Sequence, residues 1–181
     1  STPDNKKMDL SGGNFTLDGF IKCEKTIVYA VTVAPKTASH PYPTATYPTG
    51  STNAFYLAGG DLGATPVEAP ELEFAIGNTY RFDQSDATNS THPLGFLMNF
   101  PLNPTAPPLA GQGTRYNLAN VVTNGTPGSA GAYTQITITE AMIITLRNPF
   151  YYMCQNHNYM GGNVIRGYNY TKIYDSLDIS H

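Results

Sequence analysis

The chain has 181 residues, a formal net charge of -3, and charged side chains at only 13% of its positions. No basic stretch favours nucleic acid, and no apolar run reaches the roughly 18 residues that a membrane-spanning helix needs. The composition therefore argues against a nucleic-acid-binding protein and against a transmembrane segment. With 17 glycines, 14 prolines and 13 tyrosines, it is typical of a turn-rich β protein.

The first 25 residues differ in pattern from the rest. They are polar, contain a Gly-Gly pair, and have no apolar core of the kind found in signal peptides, so a signal peptide is expected to be absent or already removed. We interpret residues 1–25 as an N-terminal arm. Residues 26–181 are predicted to form one domain, because no repeat or second linker divides them.

The first half of the domain predicts four strands. Residues 26–34 are β-branched and aromatic, and residues 54–60 form a shorter run of the same kind. Residues 72–76 alternate apolar and polar side chains, as in a half-buried strand. Gly77 and Asn78 then predict a tight hairpin into a strand at 79–83.

The second half predicts further strands around a long loop. A strand-like segment at 94–100 is followed by residues 101–132, which are rich in proline and glycine and contain one short strand near 120–122. Residues 133–139 and 142–154 read as strands. Segments after residue 161 complete the set. The pattern favours an all-β Greek-key sandwich or barrel of seven to nine strands, with long loops and few short helices.

Three soft or borderline metal donors lie within seven positions, in a C-x2-H-x2-M pattern at Cys154, His157 and Met160. A thiolate, an imidazole and a thioether suit a trigonal His2Cys copper site with a long axial methionine bond. Such a site needs a second imidazole, and His92 is the candidate. The sequence therefore predicts one copper ion per chain, bound by His92, Cys154, His157 and Met160.

Other assignments remain open at this stage. Gln155, Met98 or the Thr91 carbonyl could be the axial ligand in place of Met160. Cys154 could instead form a disulfide with Cys23. Asp83 and Asp86 are expected to form turns with their own backbone, although they could partner His92.

Competing chemistries are less well matched. Structural zinc favours four strong nitrogen or sulfur ligands, which one thiolate and a thioether do not supply. A Cys–His hydrolase would need an orienting third residue, and none is visible. His40 is expected to be structural or exposed, and His181 terminal.

The motif resembles the loop of the cupredoxins, the blue copper family, in which C-x2-H-x2-M spacing also occurs. The segments DQSDATNSTHPLGF, NGTPGSAGAYTQI and YYMCQNHNYMGG are similar to cupredoxin-like proteins of marine bacteria and their phages. The resemblance covers about residues 26–170. It implies that His92 and His157 are imidazole ligands, Cys154 the thiolate and Met160 the axial ligand.

The predicted function is one-electron transfer by Cu(II)/Cu(I) cycling, with a redox partner protein, outside the cytosol where cupredoxins usually work. Four histidines in total are too few for a second copper cluster, so the chain is not expected to be an enzyme. The alternative is a structural, surface or virion interaction module in which copper is vestigial or a stability clip. Copper storage or delivery ranks last, because Met-rich and His-rich tracts are missing. The sequence specifies no oligomeric state.

Overall fold

The computed structural model describes residues 25–97, 120–139, 141–142 and 150–167. Several predictions lie outside these ranges: the N-terminal arm up to residue 24, Cys23, Met98, most of the 101–132 loop, and His181. Within the described residues, no helix is both long and apolar enough to cross a membrane.

Within these described residues, ten strands form two sheets. They are β1 (Thr26–Pro35), β2 (Asn53–Gly59), β3 (Val67–Glu68), β4 (Leu72–Ala75), β5 (Thr79–Asp83), β6 (Leu94–Leu97), β7 (Val121–Asn124), β8 (Tyr133–Thr137), β9 (Phe150–Cys154) and β10 (Gly162–Gly167). The first sheet has the order β3-β2-β1-β5-β8-β7, and the second has the order β4-β10-β9-β6. The predicted all-β sandwich is confirmed. The ten strands of the described residues exceed the predicted seven to nine, partly because β3, with only two residues, was too short to be predicted from the sequence.

The sheets are mixed, not purely antiparallel. Strand β1 runs parallel to β5, and β10 runs parallel to β4. The predicted hairpin at Gly77 and Asn78 is also wrong, because β4 and β5 lie in different sheets. The chain does turn there, with Gly77 at a φ of 85°, but the turn carries it from β4 in one sheet to β5 in the other.

One boundary also differs from the sequence prediction. The strand expected from residue 142 begins, within the described residues, only at Phe150, and Met142 lies in a helical turn. The Met142 amide donates to the carbonyl of Thr139 at 3.1 Å, which closes that turn. An apolar run that is β-branched and aromatic does not by itself show where the strand starts.

The core fills the space between the two sheets. In each strand the inward side chains alternate with outward ones, so both sheets contribute large apolar residues to one cluster. The first sheet supplies Tyr29, Val31, Phe55, Leu57, Tyr80, Phe82 and Ile136, and the second supplies Leu72, Phe74, Leu94, Phe96, Phe150, Tyr152 and Val164.

A second apolar cluster contains residues that are outward on the second sheet. Its buried members Tyr42 and Tyr159 pack against Met153, and Tyr47 is one of the partly buried residues at its edge. The rings of Tyr47 and Tyr159 lie 4.8 Å apart, and those of Tyr42 and Tyr47 lie 5.4 Å apart. We call these four residues the tyrosine cluster. It fixes the chain immediately before Met160.

Candidate metal centre

The segment that leads to His92 is built from short-range side-chain hydrogen bonds. The Asp86 carboxylate accepts from the Thr88 amide at 2.9 Å and caps a 3-10 helix, Ala87–Asn89. The Asp83 carboxylate accepts from the Ser85 amide at 2.9 Å. Both aspartates therefore form turns with their own backbone, as the sequence predicts. The Asn89 carbonyl then accepts from the His92 amide at 2.8 Å.

Strand pairing brings His92 to Cys154. In the antiparallel pair of β6 and β9, Leu94 lies opposite Cys154, so the residue two positions before β6 begins lies at the end of β9. Cys154 is the last residue of β9 and is 6% exposed. The ligand predicted from a distant part of the chain and the first ligand of the C-x2-H-x2-M motif thus meet at one end of the second sheet.

Three donor atoms gather at this point. The Cys154 Sγ lies 3.5 Å from His157 Nδ1 and 3.8 Å from His92 Nδ1. The two imidazole centroids are 4.6 Å apart. One ligand atom from each of the three residues falls within 4.8 Å of the others, which makes the group a candidate metal site.

The environment of His92 suits metal binding. Burial, and to a smaller extent the neighbouring His157 ring, lowers the pKa of His92 from its ordinary value. A neutral imidazole has a free lone pair for a metal ion, whereas a protonated one does not. The Cys154 Sγ accepts a hydrogen bond from the Asn156 amide at 3.4 Å.

Hydrogen bonds join the two ligand segments. The Thr91 carbonyl accepts from Asn156 Nδ2 at 2.8 Å, and the Pro93 carbonyl accepts from the Gln155 amide at 2.8 Å. The Leu94 carbonyl accepts from Gln155 Nε2 at 3.1 Å. These bonds are independent of any metal, so protein contacts alone hold the Cys154 segment against the His92 segment.

Two residues near the cluster have left-handed backbone. Thr91 has a φ of 67° and Tyr159 a φ of 64°. One precedes His92 and the other precedes Met160. Residues other than glycine seldom adopt this conformation, and such strained positions concentrate at functional sites.

Met160 lies in the main core and is fully buried. It belongs to the same apolar cluster as Cys154, after the loop that carries His157. Two of its alternatives as axial ligand also lie in hydrogen-bonded positions: Gln155 Nε2 donates to the Leu94 carbonyl, and the Thr91 carbonyl accepts from Asn156 Nδ2. The third, Met98, lies outside the described residues. Met160 as the fourth ligand remains a prediction.

His40 is separate from the cluster. It is 3% exposed, and its Nδ1 accepts from the Tyr42 amide at 2.8 Å. Burial, followed by the charge of Lys36, lowers the pKa of His40 to about 4. The structural role expected for His40 is confirmed, but this side chain is buried beside the tyrosine cluster, not exposed.

Sequence reasoning missed the polar residues that position the ligands. Gln84 and Asn89 are almost completely buried, and Asn156 bridges the two ligand segments. The run of Asn, Asp, Gln, Ser and Thr before His92 was the sequence feature that pointed to them, but it was interpreted only as turn-forming. Its long-range contacts could not be read from spacing.

Comparison with known proteins gives structural matches only. The chain matches no protein-family model and no curated protein sequence. Among solved structures it is similar to the copper protein rusticyanin, with 14% identity over 80% of this chain and 78% of that one, at a TM-score of 0.36. Reduced rusticyanin gives 16% identity over 80% of both chains at 0.36, and rusticyanin from Thiobacillus ferrooxidans gives 16% over 80% and 78% at 0.33. In the described residues two sheets are present, and a His–Cys–His cluster lies where β6 and β9 meet.

Proposed function

We propose that this chain is a mononuclear type 1 copper protein that carries one electron. The observation that carries the proposal is the convergence of one thiol sulfur and two imidazole Nδ1 atoms, at 3.5 and 3.8 Å from the sulfur. These atoms come from segments 62 residues apart, held together by hydrogen bonds that need no metal.

The donor set fits a first-row transition ion. Metal–sulfur and metal–nitrogen bonds of about 2.3 and about 2.0 Å place the two donor atoms roughly 3.5–3.8 Å apart at trigonal or tetrahedral angles. One thiolate with two imidazoles, and a thioether as the fourth donor, is the combination that copper electron-transfer sites use. A closed zinc site would use four strong donors instead. Bound copper would supply a one-electron couple.

The surrounding residues would tune that couple and admit a partner. The Asn156 amide donates to the Cys154 sulfur and so draws electron density from it. His92 is half-buried and His157 is partly exposed, so the two imidazoles lie between the core and the solvent. We expect a redox partner protein to dock at this end of the sandwich. On this proposal the chain is a carrier and not an enzyme, and it works outside the cytosol.

The test is the visible spectrum of the pure protein with one equivalent of Cu(II). We expect an intense sulfur-to-copper charge-transfer band that Cys154→Ser abolishes, and reversible reduction of the parent protein at an electrode. His157→Gln serves as a second variant, because His157 is partly exposed and its replacement leaves the core intact. That variant should retain the fold, by circular dichroism, while its band shifts or disappears.

Two results would contradict electron transfer. Failure to bind copper, or a faint band that Cys154→Ser leaves unchanged, would remove the copper-thiolate site. A copper-thiolate band together with raised thermal stability, but without reversible redox cycling, would instead support the metal as a stability clip in an interaction module.

A further inference from the structure

Gln84 is a buried amide with every polar group engaged. The residue is 1% exposed. Its Nε2 donates to the His92 carbonyl at 2.8 Å and to Asn89 Oδ1 at 3.3 Å, and its Oε1 accepts from the Leu94 amide at 3.0 Å. Its own backbone amide donates to the Ala132 carbonyl at 2.8 Å. The side chain therefore binds the main chain on both sides of Pro93.

These hydrogen bonds from Gln84 hold the backbone around Pro93, immediately before β6. Pro93 has no N–H, so the chain between His92 and the start of β6 lacks one donor for the sheet. Gln84 holds the peptide groups before and after it. Because the His92 amide is already bound by the Asn89 carbonyl, both main-chain polar groups of His92 are then held within one network.

The network anchors His92 to the first sheet. Gln84 follows β5, and its partner Asn89 is fully buried and donates through Nδ2 to the Val31 carbonyl of β1 at 2.7 Å. Cys154, in contrast, ends β9 in the second sheet. The distance between His92 Nδ1 and Cys154 Sγ thus depends on these contacts with the first sheet as well as on the pairing of β6 with β9.

We propose that Gln84 is a positioning residue for His92, whose side-chain amide sets the distance between the His92 imidazole and the Cys154 thiolate. This inference rests on the proposed function, because the distance between the two donor atoms matters for binding a metal ion. If Gln84 had only a structural role, its replacement would lower the stability of the fold but would leave the distance between the His92 and Cys154 donor atoms unchanged.

The test compares two buried amides. Gln84→Glu keeps the side-chain length and an acceptor for the Leu94 amide, but loses the donor to the His92 carbonyl. Asn78→Asp is the matched control: Asn78 is 7% exposed, its Oδ1 accepts from the Lys25 amide at 3.2 Å, and its Nδ2 donates to the Tyr80 hydroxyl at 3.3 Å. Both changes retain an acceptor and remove a buried donor, but Asn78 has no bond to the ligand segments.

We expect Gln84→Glu to weaken Cu(II) binding about tenfold to a hundredfold, the range typical of residues that orient a metal ligand. Its charge-transfer band should also shift. Asn78→Asp should lose comparable thermal stability and keep the affinity and the band of the parent. Equal affinity and identical bands in the two variants would overturn the proposal.

A metal-free measurement separates this proposal from the proposed function. If the parent protein gave no copper-thiolate band, electron transfer would fail, but Gln84 could still be tested in labelled metal-free protein by NMR. We expect the nuclear Overhauser contact between the His92 and Cys154 side chains to persist in Asn78→Asp and to be lost in Gln84→Glu. Persistence in both variants would show that Gln84 does not position His92.

Discussion

Two left-handed residues flank the candidate metal centre, and the protein holds them in different ways. Thr91, before His92, is exposed, and its carbonyl accepts from Asn156 Nδ2 at 2.8 Å. Tyr159, before Met160, has almost the same φ but is 1% exposed, with its ring packed in the tyrosine cluster. One position is held by a hydrogen bond to its main chain, and the other by the burial of its side chain.

The contrast shows two ways to stabilise an unfavourable backbone conformation. The left-handed region costs a residue with a Cβ roughly 1–2 kcal/mol. At Tyr159 the free energy gained by burying the ring exceeds this cost, since a large buried ring contributes several kcal/mol. At Thr91 the exposed side chain contributes little, so the main chain and its hydrogen bond must retain the conformation. Replacing each residue by glycine separates the two cases.

Tyr159→Gly should have the largest effect. Removal of a buried aromatic ring costs about 3–5 kcal/mol. Relief of the left-handed backbone returns about 1–2 kcal/mol, and glycine adds about 0.5–1 kcal/mol of entropy to the unfolded chain. We therefore expect the free energy of unfolding to fall by about 3 kcal/mol, measured by chemical denaturation of the metal-free protein.

The packing around Tyr159 supports this estimate. A Cβ on Gly50 would lie 2.7 Å from Tyr159 Cδ2, so the ring fills the space against the loop that covers it. A loss below 1 kcal/mol would mean that burial of the ring does not stabilise this segment.

The buried His40 makes the neighbourhood of the tyrosine cluster sensitive to acid. Its pKa of about 4 lies below the ordinary 6.5, so between these values the unfolded chain binds a proton that the folded chain does not. Stability from this group is complete above about pH 6.5 and is lost as the pH falls towards 4. Lys36 lowers this pKa further, and Glu68 opposes the shift.

The measurement compares the parent with His40→Asn, both metal-free, between pH 7 and pH 5. An asparagine oxygen can accept from the amide two residues later, as His40 Nδ1 accepts from Tyr42, so the variant keeps that bond and loses the titration. Over this interval the parent should lose about 2 kcal/mol more stability than the variant. Parallel pH profiles would show that His40 is protonated without cost in the fold.

The sequence predicted the parts of the structure that depend on local pattern. Alternation in residues 72–76 and 133–139 indicated strands, because side chains in a strand point to opposite faces in turn. The C-x2-H-x2-M spacing placed Cys154 and His157 on one loop, and the structure brings His92 to them. A ligand motif on a short loop leaves few ways to arrange its donors.

The features that the sequence did not reveal depend on long-range contacts. Gly77 and Asn78 form a turn in either topology, and only the partners of β4 and β5 decide that it joins two sheets. Likewise, Asn89 is ordinary in a polar loop until its side chain reaches Val31, 58 residues away. His40 was expected to be structural or exposed, because the local sequence does not show that its neighbour Tyr42 packs against the distant Tyr159.

Thr91→Gly should have the smallest effect, and of opposite sign to Tyr159→Gly. Glycine adopts the left-handed region without the cost of about 1–2 kcal/mol, although it adds about 0.5–1 kcal/mol of entropy to the unfolded chain. The carbonyl that binds Asn156 remains, since it belongs to the main chain. We expect the free energy of unfolding to rise by about 0.5–1 kcal/mol.

The neighbouring Ser90 supplies the control for that gain. It is also exposed but has an ordinary φ of -51°, so Ser90→Gly relieves no strain and should lower the free energy of unfolding by about 0.5–1 kcal/mol. Opposite signs at adjacent positions would show that the strain is stored at Thr91 itself. If both variants lost stability, the restricted backbone freedom of Ser90 and Thr91 would be needed to keep the conformation before His92. The hydrogen bond from Asn156 would then not be sufficient alone.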